Sequence, residues 1–178
     1  MSPKIWTIGH STHSIDNFIK LLSSHSIETI ADIRRFPGSR RLPQYNKENL
    51  ESSLMAANIE YHHIEALGGR RNPRPDSRNS AWRVAAFRGY ADYMETAEFK
   101  SGIDELITLT KSRRVAYLCS EAVWWSCHRS LVSDYLKHQG WTVLHIMSAT
   151  KADEHPWTKP AHIEEGRLVY STPGTLNL

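Results

Sequence analysis

The sequence predicts an α/β protein of Rossmann-like form, three layers built on a mostly parallel sheet of about five strands. Two observations carry this expectation. Short β-branched runs alternate with longer stretches of helical period, the pattern that right-handed crossovers turn into an open parallel sheet. Several of the short runs are apolar on both faces, as strands covered on both sides by helices must be. At 178 residues the chain has the length of one domain, residues 1–178, with a less regular tail from about 155.

The strands are expected in order at Ile5 to Ile8, Ile27 to Ile33, Ile59 to Ile64, Val115 to Cys119 and Trp141 to Met147. Between the first two, Ser14 can cap a helix carrying Ile15, Phe18, Ile19 and Leu22, its hydroxyl accepting from a free N–H of the first turn. Asn46 can cap a second helix carrying Leu50, Leu54 and Ala57. Two helical stretches fall around Tyr90 to Met94 and Ile103 to Leu109, and a last helix spans roughly 129–139 with Leu131, Val132, Tyr135 and Leu136 on one side. Gly140 supplies its left-handed stop. A short hairpin around Gly166 is the one ordered feature expected of the tail.

Composition narrows the function classes. The chain is 40% hydrophobic and 23% charged, which argues against disorder, and its apolar runs are far shorter than the ~20 residues that cross a bilayer. No membrane partner is expected, and without a secretory leader pattern the expected location is cytoplasmic. Two cysteines, Cys119 and Cys127, are read as thiols rather than a disulfide framework. The net charge of +3 is unevenly spread: residues 32–88 hold 11 Lys/Arg against 6 Asp/Glu, and ten of those cations are Arg, the side chain that grips phosphate or carboxylate through two N–H groups.

Three segments after strands carry candidate chemistry, at the sheet edge where open α/β folds place ligands. Gly9, His10 and Ser11 open the first, where backbone N–H groups before a helix favour an anion, with plain helix capping as the competing reading. The second contains Arg34, Arg35, Arg40 and Arg41 interleaved with Phe36 and Tyr45, a pattern that can hold phosphates while aromatics stack on bases. Asp32 precedes it, and Gly68-Gly69-Arg70-Arg71 adds further cations. The third runs from Cys119 to Ser130 and gathers Glu121, Trp124, Trp125, Cys127, His128 and Arg129. A thiol at a helix start beside His128 and Arg129 would be held as thiolate, so Cys127 reads as a nucleophile or as a buried supporting thiol. Glu121 reads as an acid/base group or as an ion-pair partner of an arginine.

No CxxC pair accompanies these residues, so no metal site and no cofactor is expected. His62 and His63 on one strand should point to opposite faces. Phosphatase and sulfurtransferase loops place Arg six residues after Cys, whereas Arg129 follows Cys119 by ten and Cys127 by two, so that chemistry is disfavoured.

Thr7-Ile8-Gly9-His10-Ser11, Asp32-Ile33-Arg34-Arg35-Phe36-Pro37-Gly38-Ser39-Arg40, Leu67-Gly68-Gly69-Arg70-Arg71 and Cys119-Ser120-Glu121-Ala122 through Cys127-His128-Arg129 together resemble the domain of unknown function 488 family. The resemblance covers almost the whole chain, with conservative departures at Ile33, where Val is common, and Ser120, where Ala is common. It implies a single-domain α/β protein of the bacterial and archaeal cytoplasm, and no assigned activity.

The residues themselves support an enzyme, a hydrolase or transferase, acting on a nucleotide or nucleic-acid substrate. Glu121, His128 and Cys127 would be catalytic. Gly9, His10, Ser11, Arg34, Arg35, Arg40, Arg70, Trp124, Trp125 and Arg129 would bind a phosphate-bearing small molecule or nucleic acid. Two competing readings are a non-catalytic nucleic-acid-binding module and a small-molecule enzyme using a reactive cysteine. The pI of about 8.9 favours a compact anion site over an extended track.

Overall fold

The computed structural model describes residues 1–172. Its elements follow the expected alternation: β1 (Lys4–Gly9), α1 (Ile15–Ser24), β2 (Thr29–Asp32), α2 (Lys47–Ala56), β3 (Glu60–His63), α3 (Ala85–Tyr93), α4 (Ala97–Thr110), β4 (Val115–Cys119), α5 (Arg129–His138) and β5 (Thr142–Ser148). A further strand, β6 (Lys151–Glu154), and a hairpin of β7 (His162–Glu164) and β8 (Arg167–Val169) follow. The main sheet has six strands rather than about five, in the order β3-β2-β4-β1-β5-β6. β1 to β5 are mutually parallel, and β6 adds an antiparallel edge by turning back on β5. Its sequence, Lys151-Ala152-Asp153-Glu154, is too polar to read as a strand, because an edge strand needs no buried face.

Strand periodicity divides the core into two layers. Trp6, Ile8, Ile30, Ala116 and Leu118 face α1 and α2, where Phe18, Leu22, Leu50 and Leu54 pack on them. Ile5, Ala31, Val115 and Tyr117 face the other way, onto Tyr90, Phe99, Ile103, Leu131 and Leu136 of α3, α4 and α5. The result is a three-layer α/β fold of Rossmann-like kind. Neighbouring β1 and β4 therefore send their following helices to opposite faces of the sheet. Such a divergence opens a crevice at the carboxyl ends of the two strands, and there Gly9 lies in register with Cys119.

The helix signals held with one exception. Ser14 caps α1 by accepting from the N–H of Asn17 at 3.2 Å, and Gly140 takes φ +86° just past α5. Asn46 occupies the cap position of α2 without capping it. Its Oδ1 instead accepts from the backbone N–H of Ser39 at 2.6 Å, so the side chain stabilises the arginine-rich loop rather than the helix. The hairpin around Gly166 is present, with Glu165 and Gly166 both at positive φ; Pro173 to Leu178 of the tail lie outside the described residues. Among the described residues no helix is long and apolar enough to cross a membrane.

Gly9 is required by close approach. A Cβ there would stand 1.6 Å from the carbonyl oxygen of Glu121 and 2.8 Å from Nη2 of Arg129. Both neighbours are held by other bonds, so the clash cannot be relieved by a rotamer change. Gly9→Ala is expected to cost about 3 kcal/mol or more of folding stability, read as a fall in the urea midpoint with an unchanged m-value.

Candidate active site

The three chemically rich segments converge. His10 after β1, Arg34 and Arg35 after β2, Gly69 and Arg70 after β3, and Cys119 to Glu121 with Cys127 and His128 around the β4–α5 loop all line one cavity of about 390 Å³. Its position follows from the parallel sheet, which delivers the ends of β1 to β4 to one edge. A second, more open hollow of about 370 Å³ beside Arg71 and Glu98 is lined by no cysteine or histidine.

At its floor lie the two thiols. Cys119 closes β4 and Cys127 immediately precedes α5, both free and buried, with their sulfurs 2.8 Å apart. Arg129 is also buried, 2% exposed. Its Nε donates to Cys119 Sγ at 3.0 Å and to Cys127 Sγ at 3.4 Å. Nη1 donates to Thr7 Oγ1 at 3.1 Å and Nη2 to the Glu121 carbonyl at 2.7 Å. Among the described residues no carboxylate is paired with this guanidinium. A buried cation without an anion costs several kcal/mol, so negative charge is drawn onto sulfur.

Burial and local charge bear on which sulfur carries it. Two thiolates in contact repel, so the pair holds one proton between them. Burial and then the bond to Cys127 push the Cys119 thiol well up. Burial also raises Cys127, but the hydrogen bond from Cys119 and the charge of Arg129 more than reverse this and bring it down to about 7. The N–H of Arg129, at the start of α5, donates to the same sulfur at 3.4 Å. The two shifts run in opposite directions and favour the shared proton on Cys119 and the negative charge on Cys127.

Behind Arg129 runs a buried relay. Thr7 Oγ1 bonds His145 Nδ1 at 2.9 Å, His145 Nε2 bonds His155 Nδ1 at 2.9 Å, and His155 Nε2 bonds Asp134 Oδ1 at 2.9 Å. Arg129 can only donate and the Asp134 carboxylate only accept, so one direction satisfies every atom in between. Thr158 and Tyr170 close the end, their hydroxyls donating to Asp134 Oδ2 at 2.5 and 3.0 Å. The composition of this relay was not anticipated from the sequence. His145, a polar residue inside the apolar run Val143 to Met147, was its one available signal.

On the opposite wall, Arg34 is tied down. Its Nε and Nη2 donate to Asp32 at 2.9 and 2.7 Å, and Tyr61 OH donates to the same carboxylate at 2.7 Å. Asp32 is therefore the partner of Arg34, and only Nη1 reaches on, to His10 Nε2 at 3.4 Å. His10 stacks on Tyr45 at 4.0 Å, and its Nδ1 lies 2.8 Å from the Ser11 carbonyl. Arg35 donates to the Arg70 carbonyl at 2.9 Å; Arg70 is exposed and Arg35 half-buried, so these two cations sit at the mouth. Arg40 is exposed and does not line the cavity.

The remaining candidates separate. The side chain of Glu121 is exposed at the rim while its carbonyl serves Arg129. His128 gives Nε2–H to the Ile33 carbonyl at 2.9 Å and packs against Gly69. Neither indole lines the cavity: Trp124 stacks on His145 at 4.8 Å within 7° of parallel, and Trp125 is 55% exposed beside it. His62 and His63 do diverge. His62 pairs with Glu60 at 3.7 Å, whereas His63 bonds the Arg34 carbonyl at 2.8 Å. Among the described residues no three His, Cys, Asp or Glu are grouped to hold a metal ion.

The chain is thus an α/β protein with a thiol pair at the carboxyl edge of its parallel sheet. The sequence profile of the domain of unknown function DUF488 matches residues 14–136, and the chain belongs to that family. No curated protein and no solved structure matches it.

Two outcomes test the electrostatics. Burial holds His10 and His128 down to about 4 and His145 to about 2, below their ordinary 6.5. Between pH 6.5 and 4 the unfolded chain binds protons that the native chain refuses, so these groups make stability rise with pH. Stability is unaffected by them above about 6.5 and falls with pH below it, towards 4 for His10 and His128 and on towards 2 for His145, which thermal melts across that range will follow. Asp134→Asn would turn an N–H₂ towards donors and should cost about 3 kcal/mol, read by urea denaturation at pH 7.5.

Proposed function

We propose that the cavity is the active site of an enzyme that uses the Cys127 thiolate as nucleophile on a small, phosphate-bearing substrate. The observation that carries this reading is the buried Arg129 guanidinium, which has two cavity-lining sulfurs where a carboxylate would ordinarily neutralise it. A structural arginine of this depth is normally matched by Asp or Glu. A thiolate held by Arg and by a helix N-terminus is instead the arrangement of a reactive cysteine.

In this reading Cys127 Sγ forms a bond to the electrophilic centre while the leaving group departs with its bonding pair. Cys119 Sγ–H, whose thiol is held protonated by burial, supplies a proton to it, and water then releases the second product. Arg35 and Arg70 at the mouth would meet the phosphate, with Arg34 as a fixed donor on the wall and His10 holding its Nη1 in place. Glu121 at the rim would activate the water, and His128 would orient the β4–α5 loop rather than exchange protons.

The cavity volume suits a small molecule. A nucleotide remains the leading class, but the indoles do not carry its base, because Trp124 already has His145 on one face. The exposed Phe36, which lines the cavity at 62% exposure, is the better stacking surface. Nucleic acid is the second reading, favoured by Phe36 and Trp125 standing exposed in the basic half and the thiol loop.

Two measurements test the proposal. Alkylation of Cys127 by iodoacetamide in the native protein should follow an inflection near pH 7, and Arg129→Lys should move it upwards. An inflection at the ordinary thiol value would remove the nucleophile. A phosphate-bearing ligand at about 100 times its Kd should raise stability by about 2.7 kcal/mol, and Arg35→Ala or Arg70→Ala should abolish the shift. Binding to oligonucleotide alone, falling steeply with salt, would instead favour the nucleic-acid module.

A further inference from the structure

The same two sulfurs carry a second inference, which rests on the reading that small molecules enter the cavity and reach Cys127. We propose that Cys119 and Cys127 form a reversible dithiol–disulfide pair that reduces a small hydroperoxide.

Proximity is the first argument. The sulfurs stand 2.8 Å apart, so closing to a bond of about 2.05 Å needs a displacement that side-chain rotation can supply. Neither cysteine is free to wander, because Cys119 lies in a central strand of the sheet and Cys127 Sγ accepts from the N–H of Arg129 at the start of α5. Arg129 Nε lies on both sulfurs at once, which keeps the pair facing each other.

Access is the second. The two residues are 2% and 7% exposed, yet both line the cavity. A peroxide can pass where a protein disulfide cannot, so intramolecular closure is favoured over mixed disulfides with large partners.

The chemistry balances without any group that the chain lacks. A lone pair of the Cys127 thiolate attacks the terminal peroxide oxygen, the O–O bond breaks, and Cys127 becomes a sulfenic acid. The departing alkoxide, or hydroxide from hydrogen peroxide, takes the proton of the Cys119 thiol. Cys119 sulfur, now a thiolate, attacks the Cys127 sulfur, the S–S bond forms, the S–O bond breaks, and hydroxide leaves to take a proton from solvent. The sulfurs lose two electrons and the peroxide gains them: dithiol plus hydroperoxide gives disulfide, alcohol and water.

Charge predicts that this disulfide is labile. Oxidation removes the sulfur anion that faces Arg129 and leaves the buried guanidinium with only Thr7 and a carbonyl. The reduced state is the better stabilised one, the condition for an easily reduced disulfide. A structural disulfide behaves in the opposite sense and raises the melting point.

The full chain is reduced, freed of reductant, exposed to hydrogen peroxide and alkylated with iodoacetamide after denaturation, with intact mass as readout. The expected result is a species about 2 Da lighter with neither cysteine alkylated, reversed by dithiothreitol, and melting below the reduced protein. Peroxide that leaves both cysteines open to alkylation overturns the proposal. So does oxidation of Cys127 to the sulfinic acid with Cys119 untouched, or an oxidised form that melts higher. Cys119→Ser should arrest at a sulfenic acid trapped by dimedone; the wild-type mass decides if that variant does not fold. Native alkylation separates this inference from the nucleophile reading. Cys127 alkylated near pH 7 with no disulfide after peroxide defeats the redox pair alone, and a disulfide formed by a Cys127 with an ordinary thiol profile defeats the nucleophile alone.

Discussion

The buried guanidinium of Arg129 is the interaction on which the site depends. One planar group joins β1 through Thr7, the β4–α5 loop through the Glu121 carbonyl, and both sulfurs. Its four attachments come from three parts of the chain, so no local signal could position them together. The loop must pass close enough for Glu121 to reach it, and that passage is what leaves no room for a side chain at position 9. A planar fork of five N–H donors can serve sulfur, hydroxyl and carbonyl at once, which a lysine cannot.

Charge balance across the layer follows from the same group. Arg129 and Asp134 lie at opposite ends of a hydrogen-bonded chain through Thr7, His145 and His155 rather than in an ion pair. The carboxylate is satisfied by Thr158 and Tyr170, and the cation is left to polarise sulfur. The C-terminal segment thus supports the site from behind: Tyr170 follows the β7–β8 hairpin directly and reaches α5. The opposite wall uses the reverse solution, since Arg34 is neutralised by Asp32 within its own strand end. Two buried arginines a few residues from one cavity have therefore been given different work, one structural and one electrostatic.

Much of the architecture was legible because it rests on local periodicity. The strand runs, the Ser14 cap, the Gly140 stop and the hairpin at Gly166 each obey constraints contained within a few residues. Asn46 shows the limit: its position marks the helix start correctly, but its side chain had a better donor in Ser39, which only the folded loop presents. Trp124 and Trp125 show it again. As a pair of indoles beside a thiol they read as a ligand surface, and a histidine 21 residues downstream of Trp124 claims one of them.

Residue spacing was enough for the alternation of elements, the parallel sheet, and the carboxyl edge at which the arginines and thiols fall. These follow from backbone geometry and from the burial of apolar stripes, both of which are written in residue spacing. Tertiary structure alone decided that β4 inserts between β2 and β1, and so that Cys119 meets Gly9, that Cys127 meets Cys119, and that Arg129 meets no carboxylate. Those facts depend on strand order and on the path of one loop through the crevice. A side chain's ionisation answers to the charges around it in space, and spacing along the chain does not contain them.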